Sequence, residues 1–206
     1  MKTKTAIDEF NHWAEIGKDI GMEHGHNPSV SRMVEILEER YETKGIETML
    51  DLGCGNGWMM RKIINKFNID RALGVDGSEQ MIKNAKKIDS ISSYLCTDIS
   101  TWRPSEKFDL IMSMEFIYYL ENPSDVFNRI FKEAASPNSV FIIGIDYYKE
   151  NKDSLSWPED LNVKMKTLGI NEWIDLYASC GLKNIYYEQY GATEKSEGTL
   201  IITGVK

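Results

Sequence analysis

A chain of 206 residues, 42% of them hydrophobic and 27% charged, can bury one sizeable core and leaves little room for a second domain. Its formal net charge of -8 argues against a broad basic face for nucleic acid or for an anionic membrane, and leaves small molecules or a cationic partner as the fitting ligands. Cys54, Cys96 and Cys180 are odd in number and lack C-x-x-C pairing, which disfavours a disulfide frame and a zinc site. With no signal-like apolar opening and no run long enough to span a bilayer, the expected location is the cytoplasm.

Residues 1–45 read as a helical cap, with a helix over 7–20, a turn at 23–28 and a second helix over 30–41. Phe10, Trp13 and Ile16 share a helical face, a stripe that serves packing as readily as ligand contact. His24 and His26 lie in the turn. His-x-His suits metal ligation, substrate contact or a solvated connection, but no further cluster completes a coordination shell, so no metal is expected.

Residues 46–146 alternate strands with helices: strands near 47–52, 71–75, 92–96, 108–113 and 139–146, helices near 57–67, 78–87 and 123–135. That alternation predicts an α/β fold with a doubly wound, mostly parallel sheet and helices on both faces. Residues 147–170 are long for a connection, and Tyr147 and Trp157 in it either line a substrate pocket or pin the insert to the sheet. A helix near 171–180 and strands near 182–190 and 197–205 close the chain, bringing the sheet to seven strands with an antiparallel C-terminal strand. The expectation is a single domain over residues 1–206.

Residues 50–57, Leu-Asp-Leu-Gly-Cys-Gly-Asn-Gly, carry the sharpest chemical signal. Gly53, Gly55 and Gly57 let a backbone turn tightly and approach a ligand. The third glycine comes one residue earlier than the dinucleotide fingerprint requires, and Asp51 puts a carboxylate at the strand's end. An anion there repels phosphate and suits an ammonium group.

This segment resembles the first motif, D/E-x-G-x-G-x-G, of the class I S-adenosylmethionine-dependent methyltransferases. Residues 72–82 look like the second motif, Cys96-Thr97-Asp98-Ile99 like the third, and 108–114 like the fourth strand. The resemblance covers about residues 47–145. It implies a Rossmann-like methyltransferase fold and S-adenosylmethionine as cofactor, held by Asp51 and the glycine loop with Cys54, by Asp76 on the ribose hydroxyls, and by Asp98 and Ile99 beside the adenine. Gly77, Met81 and Met114 belong to the implied cofactor contacts, and N-terminal helices of this family cover the site, which puts Trp13 over it. Independently, a carboxylate at a strand tip can accept two hydrogen bonds from a cis-diol, although Asp76 before Gly77-Ser78 also suits a helix start.

A sulfonium methyl is already electrophilic, so a transferase needs mainly alignment and exclusion of water. A base, where one is used, should follow the fourth strand, where Glu115, Tyr118 and Tyr119 stand. Ser113-Met114-Glu115-Phe116 departs from the N/D-P-P-Y/F motif of adenine and glutamine methyltransferases. The expected function is methyl transfer to an oxygen, nitrogen or carbon of a small-molecule acceptor, for which His24, His26, Tyr118, Tyr147 and Trp157 are candidate contacts. A protein or peptide methyltransferase and a non-catalytic cofactor-binding sensor are the alternatives.

Overall fold

The computed structural model describes residues 4–194 and 196–206. Seven strands form one sheet in the order β3-β2-β1-β4-β5-β7-β6. They are β1 (Thr48–Leu52), β2 (Arg71–Asp76), β3 (Ser93–Cys96), β4 (Phe108–Met114), β5 (Ala135–Ile145), β6 (Lys183–Tyr190) and β7 (Thr199–Val205). β1 to β5 pair in parallel, and β7 runs antiparallel between β5 and β6.

Period-two alternation divides the core into two layers. Leu50, Ile111, Phe141 and Ile202 face one layer, in which Phe127, Trp173 and Tyr177 are buried. Met49, Leu110, Ile142 and Ile201 face the other, with Met33, Met60 and Ile82. Helices α3 (Trp58–Phe67), α4 (Glu79–Ile88), α5 (Pro123–Ala134) and α7 (Ile170–Ser179) lie within a residue of their expected positions at each end. The strand order reverses between β1 and β4, and in such sheets the crevice opens at the carboxyl ends of the strands on either side.

The N-terminal segment differs from expectation. Helix α1 (Ala6–Glu15) stops early, Gly17 takes φ +76, and α2 runs unbroken over Asp19–Arg40 through the predicted turn and past Pro28. Ile16 falls off the Phe10–Trp13 face and is exposed. The turn-forming residues are overruled by a stripe at helical spacing, Met22, His26, Val30, Met33 and Leu37, whose last three members are fully buried. Residues 147–170 contain a short helix, α6 (Trp157–Asp160), and are tied down by a bridge from Val163 to Lys4 and by Lys166 N–H donating to the Tyr118 carbonyl. Among the described residues no helix is long and apolar enough to cross a membrane.

Candidate functional site

The glycine loop leaves β1 and folds over the end of β2, with the N–H groups of Gly53 and Cys54 both donating to the Val75 carbonyl. Each glycine answers to a different demand. Gly53 has φ +73, and a Cβ there would fall 2.3 Å from the Phe116 ring. Gly57, at φ +77, caps α3, and a Cβ would meet the Tyr94 hydroxyl at 2.5 Å. Gly55, at φ +53, has only the Met81 sulfur near it, at 3.9 Å, so its open side faces space that a ligand can occupy. Cys54 is a packing residue: it is buried, its sulfur lies against Gly74, and burial and Asp76 push the thiol well up.

Asp76 at the tip of β2 accepts from Gly55 N–H at 2.9 Å through one oxygen and from Ser78 N–H at 2.7 Å through the other. The carboxylate is fixed, with lone pairs left for hydroxyls. Burial raises its pKa and those backbone donors oppose the rise. Asp51, at the end of β1, is 1% exposed, and neither oxygen has a hydrogen-bond partner among the described residues. Desolvation, then Asp76, pushes Asp51 up to about 8. An orphan carboxyl at a crevice is a place for a cation.

Helices α1 and α2 form the cover. Ile7 lies against Gly77, and the Asn11 side chain accepts from Ser78 Oγ and Gln80 N–H, docking α1 on the start of α4. Asp19, buried at the start of α2, accepts from Asn56 at 3.1 Å and Asn84 at 3.3 Å.

Beneath the cover are two small clefts, about 40 and 80 Å³, which share Met22, Gly53, Gly55, Met81, Met114 and Glu115. Asp51, Asp19 and Asn56 line one, Asp76, Gly77 and Ile7 the other. A third cavity, about 360 Å³, continues from them through Met22 and Glu115 and is walled by Phe10, Trp13, Tyr118, Tyr119 and Trp157. Asp98 and Ile99 line a separate open cleft that joins at Gly77. Among the described residues an outer groove of about 820 Å³ carries Lys4, Lys164 and Lys166 and shares with the aromatic cavity only Tyr119.

The structure thus brings Asp51, Gly53, Cys54, Gly55, Asp76, Gly77, Met81 and Met114 around the two clefts, with Glu115 shared by all three spaces. Four other expected contacts do not line the two clefts. Gly57 lines no described cavity, because it caps α3 under Tyr94. Trp13 lines the aromatic cavity rather than the clefts. Tyr147 is buried behind that cavity, its ring centroid 5.4 Å from Tyr118 and 6.3 Å from Trp157. His24 points away, exposed, its ring bonded to the Ile20 carbonyl of its own helix.

His26 turns inward, where Glu115 and Asp146 join it with ligand atoms within 4.8 Å of one another. Burial holds His26 below its ordinary range, and burial together with Asp146 lifts Glu115 well above the carboxylate range. Asp19, Met22, Phe116 and Asp146 were missed by motif reading. The helical spacing of Met22 and His26 with Val30 was the available signal for that pair; Asp146 follows β5, at a strand end, and carried none beyond that position.

Residues 50–150 match the family model described as a methyltransferase domain. The chain is 31% identical over 120 residues to malonyl-[acyl-carrier protein] O-methyltransferase 2 of Ilyobacter polytropus, covering 55% of this chain and 46% of that one. It is 23% identical over 151 residues to trans-aconitate 2-methyltransferase of Rhizobium rhizogenes, covering 70% and 56%. The chain therefore spans about half the length of these curated relatives. A putative methyltransferase of Haloferax volcanii, solved with the Trm112 methyltransferase activator, superposes with a TM-score of 0.81 at 25% identity over 99% of both chains. The chain belongs to the class I S-adenosylmethionine-dependent methyltransferases. The site fits the family's cofactor: the orphan Asp51 carboxyl suits the amino-acid ammonium, and Asp76 suits the ribose.

Proposed function

We propose that this chain transfers the methyl group of S-adenosylmethionine to an oxygen, nitrogen or carbon atom of a small molecule held in the aromatic cavity. The observation that carries this reading is that Glu115 and Met22 belong at once to the clefts with the cofactor carboxylates and to the 360 Å³ cavity, so an acceptor there lies next to the cofactor. Bound cofactor supplies an electrophilic methyl on a sulfonium sulfur. The protein's part is to hold the amino-acid end at Asp51 and Asp19, clamp the ribose at Asp76, and present the acceptor from a wall of rings that excludes water.

Calorimetry with S-adenosylhomocysteine followed by transfer of radiolabelled methyl into a metabolite extract tests this. Binding with label in the low-mass fraction is expected; label in protein alone would replace the acceptor class, and no binding would remove the reading. Asp76→Ala should weaken S-adenosylhomocysteine at least tenfold, since hydrogen bonds to a charged group contribute roughly 1.5–3 kcal/mol.

A second reading concerns assembly. β3 ends the sheet, and Ile91, 95% exposed, sits with exposed Ile88 and Leu95 beside that edge. Exposed apolar groups at an unpaired edge suit an accessory subunit like the one bound by the Haloferax volcanii protein. Retention of a Trm112-type partner by the unaltered chain in gel filtration, and its loss in Ile91→Asp, would support this; no retention would dismiss it.

A further inference from the structure

We propose that the acceptor is a small cationic amine, methylated on nitrogen. This deepens the small-molecule reading and rests on it. Among the described residues no Lys or Arg lines the aromatic cavity or either cofactor cleft, whereas Glu115 and Asp160 line the cavity and Asp146 stands directly behind. A carboxylate acceptor, such as the relatives' names indicate for those proteins, would find no counter-charge there. The lysines of the outer groove meet this space at Tyr119 alone.

Three features make the corner a seat for an ammonium group. One Glu115 oxygen accepts from Asp146 N–H and the other from the Tyr118 hydroxyl at 2.8 Å, which fixes the carboxylate in place. Asp146 keeps a buried oxygen, Oδ1, without a hydrogen-bond partner. Burial and Asp146 oppose a negative charge on Glu115, and a cation between the two carboxyl groups would favour ionisation of both. The walls are aromatic rings, whose faces attract cations; Lys18 Nζ, 5.0 Å from the Trp13 ring centroid, shows one of them already doing so without lining the cavity.

An ammonium cannot attack until it loses a proton. His26 Nδ1 lies 3.8 Å from Asp146 Oδ2; burial lowers the imidazole's pKa against the opposing pull of Asp146, which favours the neutral form that accepts a proton. R–NH3+ gives its proton to His26. The freed lone pair then forms the N–CH3 bond as the S–CH3 bond breaks, its electron pair remaining on sulfur. The products are R–NH2–CH3+, S-adenosylhomocysteine and a His26 imidazolium held beside Asp146, from which the proton passes to water. Charge is conserved at two positive units.

The test incubates the protein with methyl-labelled S-adenosylmethionine and a metabolite extract, then separates the products from unreacted cofactor. Label in a low-mass product that binds a cation exchanger at acid pH and survives mild alkali, which releases methanol from esters, is the expected result. His26→Gln should cut this transfer about 100-fold, the lower end of what a proton acceptor contributes, a loss well beyond any change in S-adenosylhomocysteine affinity, which His26 touches only as one residue of the lining of one cofactor cleft. Asp146→Asn should raise KM at least tenfold.

Label that passes the cation exchanger, or is released by alkali, overturns the amine assignment while the small-molecule function stands. Label in protein only, or in no fraction from material that binds S-adenosylhomocysteine, overturns both. Activity abolished by EDTA and restored by Mg2+ or Mn2+ would make His26, Glu115 and Asp146 a metal site and likewise overturn the assignment.

Discussion

At the crevice the ligand-facing groups are set by backbone: Gly55 N–H and Ser78 N–H grip Asp76, and the Val75 carbonyl anchors the loop. In the aromatic cavity the walls are side chains from four separate stretches, α1, α2, residues 115–119 and residues 157–161, joined by ring packing such as Phe10 on Tyr119 at 5.2 Å. The first region tolerates little change because its geometry is covalent and hydrogen-bonded. The second can be remodelled one ring at a time, which is how one fold serves many acceptors.

Within the crevice the contrast sharpens between glycines. Gly53→Ala should be the most damaging substitution. Left-handed backbone for a non-glycine costs roughly 1–2 kcal/mol and overpacking against Phe116 a further 1–3, together about 2–5 kcal/mol in urea unfolding. Gly55→Ala should show only the backbone cost, yet lose S-adenosylhomocysteine affinity at least tenfold because the new methyl enters the cleft. If the two variants behave alike, the division between a packing glycine and a ligand-facing glycine is wrong.

Asp51 is expected to trade stability for binding. Its folded pKa, about 8, lies above the unfolded value, so the native state keeps a proton that the unfolded chain has already released. Stability contributed by that proton is full below about pH 4 and is lost as pH rises towards 8. Asp51→Asn escapes the loss. Its unliganded Tm should exceed that of the parent by a few degrees at pH 8.5 and by less at pH 5. S-adenosylhomocysteine should bind the variant roughly tenfold more weakly, since an amide cannot pair with an ammonium as a carboxylate does. Equal Tm values at both pH values would mean that Asp51 is not a buried, unpaired acid.

What the sequence made legible follows the same divide. The strands and the helices between and after them, and Asp51, Asp76 and Gly55 with them, could be read because short-range rules place them: period-two burial, strand tips, glycine conformations. Asp146 and the Phe116 ring could not, and His26 could be read as a candidate contact in a turn but not as a helical residue beside Asp146. Each matters through a neighbour remote in sequence: His26 with Asp146, Asp146 with Glu115, Phe116 with Gly53. The misread turn at 23–28 is instructive because Gly25, His26, Asn27 and Pro28 all favour a break locally. Tertiary burial of Val30, Met33 and Leu37 extends α2 through it regardless.

The smallest expected effect falls at that point. Gly25 lies inside α2 with nothing within 4 Å of where a Cβ would sit, so Gly25→Ala adds no clash and removes glycine's entropic cost, about 0.5–1 kcal/mol. Without ligand, Tm should rise by roughly 1–4 °C for a chain of this size. The readout separates two behaviours of the cover. If α2 is formed before ligand arrives, alanine raises the Tm of the unliganded protein and leaves S-adenosylhomocysteine affinity unchanged. If residues 23–28 become helical only over bound ligand, the same stabilisation shows instead as tighter binding with an unaltered unliganded Tm, and the cover is a lid whose closing is part of the binding step.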